Sequence, residues 1–254
     1  MATRDAKVLA KGLRILEELS ERPRGMTASE LAQLISVHKT SVYRYLNTLL
    51  NAGYIANDGT GHYRLANKIL EIGSKLLRRM PLRDVAHPLL IKLSSDTQKT
   101  VHLSVLDGAD VVYIDKVETQ QTLPIMSRIG SRAPAYCTGV GKALLSALST
   151  DQVVELIGKM ALEKRTQNTI VDPLRLLEEI KVSAERGYAI DNGEHEEGIR
   201  CFAAPVTAYG GDVAGSVSVT GLERDFEDPS VRDSIITAVS ETAREISRRL
   251  GHVE

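Results

Sequence analysis

Residues 27–53 read TASELAQLISVHKTSVYRYLNTLLNAG, and this stretch decides the fold of the amino-terminal part of the chain. Thr27 and Glu30 form a Thr-x-x-Glu pair, the signature of a capping box at the start of a helix. After the break ISVH, apolar residues recur at helical spacing from Val42 onward, and Gly53 stands where helices commonly end. A short helix, a tight turn and a second amphipathic helix predict a helix-turn-helix.

Both flanks of this stretch fit a winged form of the motif. Upstream, AKVLAKGLRILEELS (6–20) has the periodicity of an amphipathic helix, with five apolar residues on one face: Val8, Leu9, Leu13, Leu16 and Leu19. Downstream, the β-prone runs YIAND (54–58) and HYRLA (62–66) surround the turn GTG, which predicts a hairpin where a wing would lie.

The first 80 residues are basic, because 13 Lys and Arg stand there against 7 Asp and Glu, whereas the whole chain has a net charge of −1. A basic head on an acidic body favours contact with a polyanion. The third helix begins with polar residues and is apolar on its other side, as a helix in the major groove of DNA requires. The candidate DNA contacts are Lys39, Thr40, Ser41, Tyr43 and Arg44, and the alternative for each one is a solvated helix face.

From Leu82 the pattern changes to mixed strands and helices. VHLSVLDGADVVYIDKVE (101–118) predicts a hairpin, and IRCFAAPVTA and VAGSVSVTG predict two further strands joined by YGGD. Helical segments alternate with the strands, among them DPLRLLEEIKVSAERG, which has Asp172 as its cap, Pro173 in its first turn and Gly187 after its end. This order predicts an α+β domain with a mainly antiparallel sheet.

The predicted organisation has three parts. A winged helix-turn-helix domain occupies residues 1–66, and an effector-binding and oligomerisation domain occupies residues 82–254. Between them, residues 67–81 contain NKILEIGSKLLRRM, a linker helix with apolar residues at helical spacing before Pro81.

Composition excludes several classes of protein. The apolar runs are far shorter than the roughly 18–20 residues that cross a bilayer, so no membrane partner is expected. The two cysteines, Cys137 and Cys201, cannot form a disulfide framework, which fits a reducing cytosol and a cytoplasmic protein.

GVGK (139–142) lacks the first glycine and the final Ser or Thr of a phosphate loop. It predicts either an anion site at a helix start or a tight turn without a ligand.

The stretch DNGEHEEGIRC (191–201) concentrates acidic, histidine and cysteine residues, yet its spacing supports no metal centre. His195 has no second histidine four residues on, and the chain contains no Cys-x-x-Cys pair. Cys201 lies in an apolar strand, which favours a buried thiol over a nucleophile. The acidic run is interpreted as a solvated loop before that strand. No catalytic residue, metal or cofactor is predicted, and the chain is not expected to be an enzyme.

Five ordered blocks resemble the IclR family of bacterial transcription regulators over nearly the whole chain. They are KTSVYRYLNTLLNAGYI with YRL, VHLSVLDGADVVYIDKVE, SRIGSRAPAYCTGVGKALLSAL, ERGYAIDNGEHEEGIRCFAAPV and GSVSVTG. The resemblance is greatest to the branch that controls sugar-acid catabolism. It implies a winged helix-turn-helix, a GAF-like α/β effector domain, and a homodimer or homotetramer on palindromic double-stranded operator DNA.

The same resemblance implies a pocket for a small carboxylate or sugar acid beneath residues 135–142. Carried over by position, its effector contacts are Met126, Gly139, Val140, Asp191, Cys201, Ser218 and Thr220. Ser218 and Thr220 alternate on one face of a strand, so both hydroxyls would reach one cavity. Asp191 would either accept a hydrogen bond from a ligand hydroxyl or carry the proton that neutralises a buried acid.

The sequence therefore predicts a ligand-responsive regulator, a repressor of a catabolic operon. One alternative is a small-molecule enzyme or metalloprotein with an accessory DNA-binding head. A second alternative is a dimerisation module that binds no ligand.

Overall fold

The computed structural model describes residues 7–77, 80–118 and 127–252. They fall into two compact units that divide between Arg79 and Met80, within the predicted linker segment. The finer division at 1–66, 67–81 and 82–254 stays a prediction. Met126, one of the predicted effector contacts, lies outside the described residues.

The amino-terminal unit is a winged helix-turn-helix. Its elements are α1 (Lys7–Ser20), β1 (Met26–Thr27), α2 (Ala28–Leu34), α3 (Lys39–Asn51), β2 (Ile55–Asn57), β3 (His62–Leu65) and α4 (Asn67–Leu77). The strands form an antiparallel sheet in the order β1-β3-β2, and the β2–β3 hairpin is the predicted wing.

Two local signals in the opening stretch determine where α2 begins and α3 ends. The Thr27 hydroxyl accepts the Glu30 N–H, and a Glu30 carboxylate oxygen accepts the Thr27 N–H at 2.7 Å, so the capping box is complete. After α3, Gly53 has φ +78°, its N–H donates to the Leu50 carbonyl, and the Tyr54 N–H donates to the Leu49 carbonyl. This is a Schellman ending, and it turns the chain into the wing.

The core of this unit differs from the predicted face of α1. Ile15 and Leu19 are its buried residues, whereas Val8, Leu9 and Leu13 are more than half exposed. The core therefore uses only part of the apolar surface of α1. The helix packs on α3 and β3 through Ile15 and Leu19, and Val8, Leu9 and Leu13 form an exposed apolar stripe.

The carboxy-terminal unit is an α+β domain, as predicted. Its helices are α5 (Pro81–Thr97), α6 (Gly139–Ser146), α7 (Thr150–Ile157), α8 (Pro173–Arg186) and α9 (Pro229–Arg249). Its strands are β4 (Thr100–Asp107), β5 (Asp110–Val117), β6 (Arg132–Pro134), β7 (Ala189–Asn192), β8 (Ile199–Thr207) and β9 (Val213–Leu222). They form one fully antiparallel sheet in the order β6-β5-β4-β9-β8-β7.

Helix α8 confirms the end signals read from its sequence. The Asp172 carboxylate accepts the Arg175 N–H at 2.9 Å, Pro173 is the first helical residue, and Gly187 closes the helix at φ +79°. Among the described residues, no helix is long and apolar enough to span a membrane.

The two faces of the sheet differ in chemistry. One face packs α5 and α9 on an aliphatic layer that includes Val101 and Leu103 of β4 and Val217 and Val219 of β9. On the opposite face, the central strands β4 and β9 carry buried polar residues: Thr100, His102, Ser104, Ser216, Ser218 and Thr220. Since successive side chains of a strand alternate, each strand is apolar on one side and polar on the other. Helix α6 packs across β7, β8 and β9 on this second face, and α8 packs on α6 and β7.

Candidate functional site

Helix α3 presents the predicted DNA-contact residues to solvent. Val42 and Leu46 are fully buried and fix the helix on the core, so the polar side is turned outward. Lys39, Thr40 and Arg44 are exposed, Tyr43 is 43% exposed, and Ser41 is half-buried.

The amino-terminal end of α3 suits an anion. The first turn contains no acidic residue, and the His38 side chain makes no capping hydrogen bond. The partial positive charge of a helix start is therefore not neutralised by the helix itself. The Lys39 ammonium lies 5.9 Å from the Tyr43 ring centre, so the two polar side chains share one surface.

The second candidate site is a cavity of about 210 Å³ in the carboxy-terminal unit, between the polar face of the sheet and the start of α6. Strand register builds its floor, because Asp191 of β7 pairs with Cys201 of β8, and Cys201 pairs with Thr220 of β9. The residues that line it are His102, Tyr113, Ser127, Ser131, Arg132, Ala133, Thr138, Gly139, Val140, Asp191, His195, Glu196, Ile199, Cys201, Ser218 and Thr220.

The structure brings together all the predicted effector contacts that it describes. Gly139 and Val140 of α6, Asp191, Cys201, Ser218 and Thr220 all line this one cavity.

Asp191 is the one buried carboxyl group among the described residues that line the cavity. It is 5% exposed, and its Oδ1 accepts the N–H of Glu194 at 2.7 Å and that of His195 at 3.4 Å. Among the residues that the structure describes, both hydrogen bonds to the Asp191 carboxylate are made to Oδ1 and none to Oδ2. Burial raises the pKa of Asp191 to about 7, and the nearby Glu194 carboxylate adds to the rise.

His102 is a lining residue that the sequence analysis missed. It pairs with Ser218 across β4 and β9, and its Nδ1 lies 3.4 Å from the hydroxyls of both Ser218 and Thr220. Its Nε2 lies 2.7 Å from the Ser127 hydroxyl. Burial and the Lys116 charge lower the pKa of His102 to about 3, so its ring is neutral and carries one donor and one acceptor.

The Tyr113 hydroxyl and the Cys201 thiol of the cavity are also neutral, as is the thiol of Cys137, which precedes the lining residue Thr138. Burial raises the pKa of the Tyr113 hydroxyl and raises the pKa of each thiol, Cys137 and Cys201, to about 12. The Cys137 sulfur lies 3.6 Å from His195 Nδ1, but a thiol with so high a pKa does not supply a nucleophile. Within the described part of the chain, no group of three or more His, Cys, Asp or Glu residues is arranged to hold a metal ion.

Glu194 corrects the prediction that the acidic run is a solvated loop. Glu196 and Glu197 are exposed, but Glu194 is 5% exposed and forms an ion pair with Lys142, which is 1% exposed. Lys142 also lies 3.8 Å from Glu179, which binds Arg186 at 2.9 Å. This charge cluster (Lys142, Glu179, Arg186 and Glu194), in which Lys142 and Glu194 are buried, ties α6 and α8 to the loop that follows β7.

Close packing accounts for the glycines of GVGK. A Cβ on Gly141 would lie 2.3 Å from the Ala135 carbonyl oxygen, and one on Gly139 would lie 2.8 Å from the Cys201 sulfur. The Thr138 hydroxyl caps α6 by accepting the Gly141 N–H at 3.2 Å. Lys142 is not a lining residue, so the motif places the backbone of the first turn of α6 on the cavity and its lysine in the charge cluster.

Comparison with known proteins gives consistent matches over both units. The family model described as "Bacterial transcriptional regulator IclR C-terminal" matches residues 74–248, and the model "IclR helix-turn-helix domain" matches residues 8–59. The chain is 34% identical to the HTH-type transcriptional regulator KdgR of Escherichia coli (strain K12), over 94% of this chain and 90% of that protein. It is 30% identical to the transcriptional repressor IclR of the same organism, over 98% and 92% of the two chains.

The solved structures agree with the sequence matches. The crystal structure of the Thermotoga maritima IclR is similar to this chain with a TM-score of 0.82 and 34% sequence identity. The match covers 97% of this chain and 99% of that chain.

Proposed function

The chain belongs to the IclR family of bacterial transcriptional regulators, and we propose that it is a repressor whose operator binding is controlled by a small sugar acid in the carboxy-terminal cavity. Membership in this family confirms the prediction that the chain is a DNA-binding regulator with a small-molecule effector. It also confirms the prediction that the chain is not an enzyme, because the family consists of regulators.

The chemistry of the residues that line the cavity supports a sugar acid as the effector. Its lining combines hydroxyl groups and a neutral imidazole with a helix start, whose N–H groups favour a carboxylate. The hydroxyl-bearing residues are Tyr113, Ser127, Ser131, Thr138, Ser218 and Thr220. Such a polar surface favours a hydroxylated acid over a hydrocarbon acid, because a hydroxyl that is bonded within the protein still keeps a lone pair for a ligand hydroxyl, and an apolar ligand would remove water from it without replacing that bond. A volume of about 210 Å³ restricts the ligand to a size below that of drug molecules, whose pockets measure roughly 300–1,000 Å³.

For the DNA interface we propose Lys39, Thr40, Ser41, Tyr43 and Arg44 as the contacts. The exposed helix start places them where phosphates and base edges meet a recognition helix. Since the operator lies in the cytoplasm of a bacterium, we assign the protein to that compartment.

Self-association is the second part of the proposal. Helices α1 and α4 leave six large apolar side chains at least 45% exposed: Val8, Leu9, Leu13, Leu70, Ile72 and Leu76. Exposed apolar residues on two helices of one unit favour burial against another copy. A symmetric dimer or tetramer would then read a palindromic operator.

A thermal-shift screen with pyruvate, D-gluconate and D-galacturonate tests the cavity assignment. An acid present at about 100 times its Kd should stabilise the carboxy-terminal unit by about 2.7 kcal/mol. The change Ser218→Ala should abolish the shift. The matched control is Ser216→Ala on the same strand face, since Ser216 donates to the Val140 carbonyl at 3.0 Å and does not line the cavity. Equal shifts in both variants would contradict the assignment.

A further inference from the structure

The cavity offers no unpaired cation to an acid among its described lining residues. Among the described residues of the lining, Arg132 is the one Lys or Arg, and its guanidinium is bound by Asp107 at 2.5 Å and Asp110 at 3.2 Å. His102 has a pKa of about 3, and burial lowers the pKa of His195 as well, so neither ring is charged near neutral pH. The start of α6 supplies the remaining positive potential, and it is only a partial charge.

Asp191 brings a carboxyl group into the same cavity that an effector carboxylate would enter. The backbone N–H groups of Glu194 and His195 bind Oδ1, so Oδ2 is the oxygen left for a ligand. Two carboxylates that share a buried site cannot both be ionised without strong repulsion. A protonated carboxyl in an apolar site instead becomes a hydrogen-bond donor.

The groups that face Asp191 from the surrounding elements cannot relieve this repulsion. Each neighbour that contributes to the electrostatics of Asp191 is neutral near pH 7 or already engaged. Tyr113 of β5, Cys137 of the turn before α6, Cys201 of β8 and His195 of the loop are neutral, and Lys142 of α6 is paired with Glu194.

We propose that the acid effector binds together with one proton, which Asp191 holds on Oδ2 and donates as a hydrogen bond to the effector carboxylate. This inference rests on the proposed function, because it requires an acid in this cavity. The proton comes from solvent, and no covalent bond to the effector forms. The O–H···O⁻ contact is of the strong, charge-assisted kind.

The affinity for an acid should then fall as pH rises. Common carboxylic acids ionise near pH 4 and stay anionic from pH 6 to 9. With a pKa of about 7 for Asp191, the binding-competent form is lost progressively above neutrality. The association constant should decrease about tenfold per pH unit above pH 7, and about 100-fold between pH 6 and pH 9. If Asp191 instead accepted from a ligand hydroxyl as a carboxylate, affinity would rise with pH, so the sign of the slope separates the two roles.

Isothermal titration calorimetry of the full chain with D-gluconate and with pyruvate, from pH 6 to pH 9, tests the proposal. Paired titrations in phosphate and Tris buffers report the number of protons taken up, which should approach one per ligand above pH 8. Asp191→Asn, which keeps an acceptor for the loop N–H groups and a permanent donor, should give a flat pH profile. Glu196→Gln removes an exposed carboxylate of the same lining and should keep the wild-type slope.

The possible results distinguish a failure of the proton-coupled mechanism from a failure of the proposed function. Tight binding with a flat wild-type profile and no proton uptake would overturn the proton-coupled mechanism and leave the acid-sensing function in place. A slope lost in Glu196→Gln would also overturn it. Failure of both acids to bind at every pH would overturn the proposed function, an acid effector in this cavity. If Asp191→Asn does not fold, the buffer-paired titration of the wild-type protein decides the question alone.

Discussion

Removal of the Lys142 charge should destabilise the carboxy-terminal unit more than any surface ion-pair change. Lys142 is 1% exposed and pairs with Glu194, whose Oε2 has no partner among the described residues. In Lys142→Met, Glu179 keeps Arg186 at 2.9 Å, but Glu194 is left buried and uncompensated. We therefore expect a loss of about 3–5 kcal/mol in the free energy of unfolding. Glu194→Gln should cost less, about 2–3 kcal/mol, because Lys142 retains Glu179 at 3.8 Å.

A double-mutant cycle makes this prediction quantitative. The double variant Lys142→Met/Glu194→Gln buries no unpaired charge at either position, so its cost should fall about 1–3 kcal/mol below the sum of the two single changes. Guanidinium unfolding followed by circular dichroism gives the energies, and hydrogen exchange of α6 assigns them to this unit. Lys159→Met is the control, since its pair with Glu155 is more than 60% exposed on both sides and should matter by less than about 0.5 kcal/mol. Additive single changes, or a cost below about 1 kcal/mol for Lys142→Met, would refute the buried-pair reasoning.

A glycine substitution and a change of pH should also alter stability. Gly141→Ala should destabilise the carboxy-terminal unit by at least about 3 kcal/mol in thermal unfolding, because its Cβ would lie 2.3 Å from the Ala135 carbonyl oxygen. The control Gly73→Ala has no atom within 4 Å of its Cβ and should stabilise α4 slightly. The native state without ligand should lose stability as pH rises from 4 to 7, since burial raises the pKa of Asp191 from 3.8 to about 7 and the folded chain holds a proton that the unfolded chain has released. The difference in the free energy of unfolding between wild type and Asp191→Asn should therefore change by about 4 kcal/mol between pH 4 and pH 7. Denaturation at several pH values measures it, and parallel pH profiles of the two proteins would contradict the prediction.

Local signals in the sequence were sufficient for the parts of the fold that depend on neighbouring residues. The capping box at Thr27, the glycine end of α3 and the cap at Asp172 each act within a few residues, so spacing alone predicts them. Alternation along β9 likewise predicts that Ser218 and Thr220 share one face. The full set of predicted effector contacts came from the family resemblance, and its described members do line one cavity.

Features that depend on distant residues were not predicted. His102 becomes a lining residue only through the register of β4 with β9, whose partner Ser218 is 116 residues away. Glu194 is buried because Lys142, 52 residues earlier, reaches it, and nothing near DNGEHEEGIRC signals that pairing. The exposure of the apolar stripe of α1 could not be predicted either, because the periodicity of an amphipathic helix is the same whether its apolar side faces a core or an interface.

Operator binding measured with and without an acid effector shows whether a ligand in the cavity controls the affinity for DNA. Fluorescence anisotropy at fixed salt, with a duplex from the promoter upstream of the chain's own gene, gives the affinity of the full-length protein. We expect D-gluconate, or another acid that stabilises the carboxy-terminal unit, to change operator affinity at least about fivefold. Ser218→Ala should remove this response while operator binding remains. An acid that binds the cavity and leaves operator affinity unchanged would contradict it.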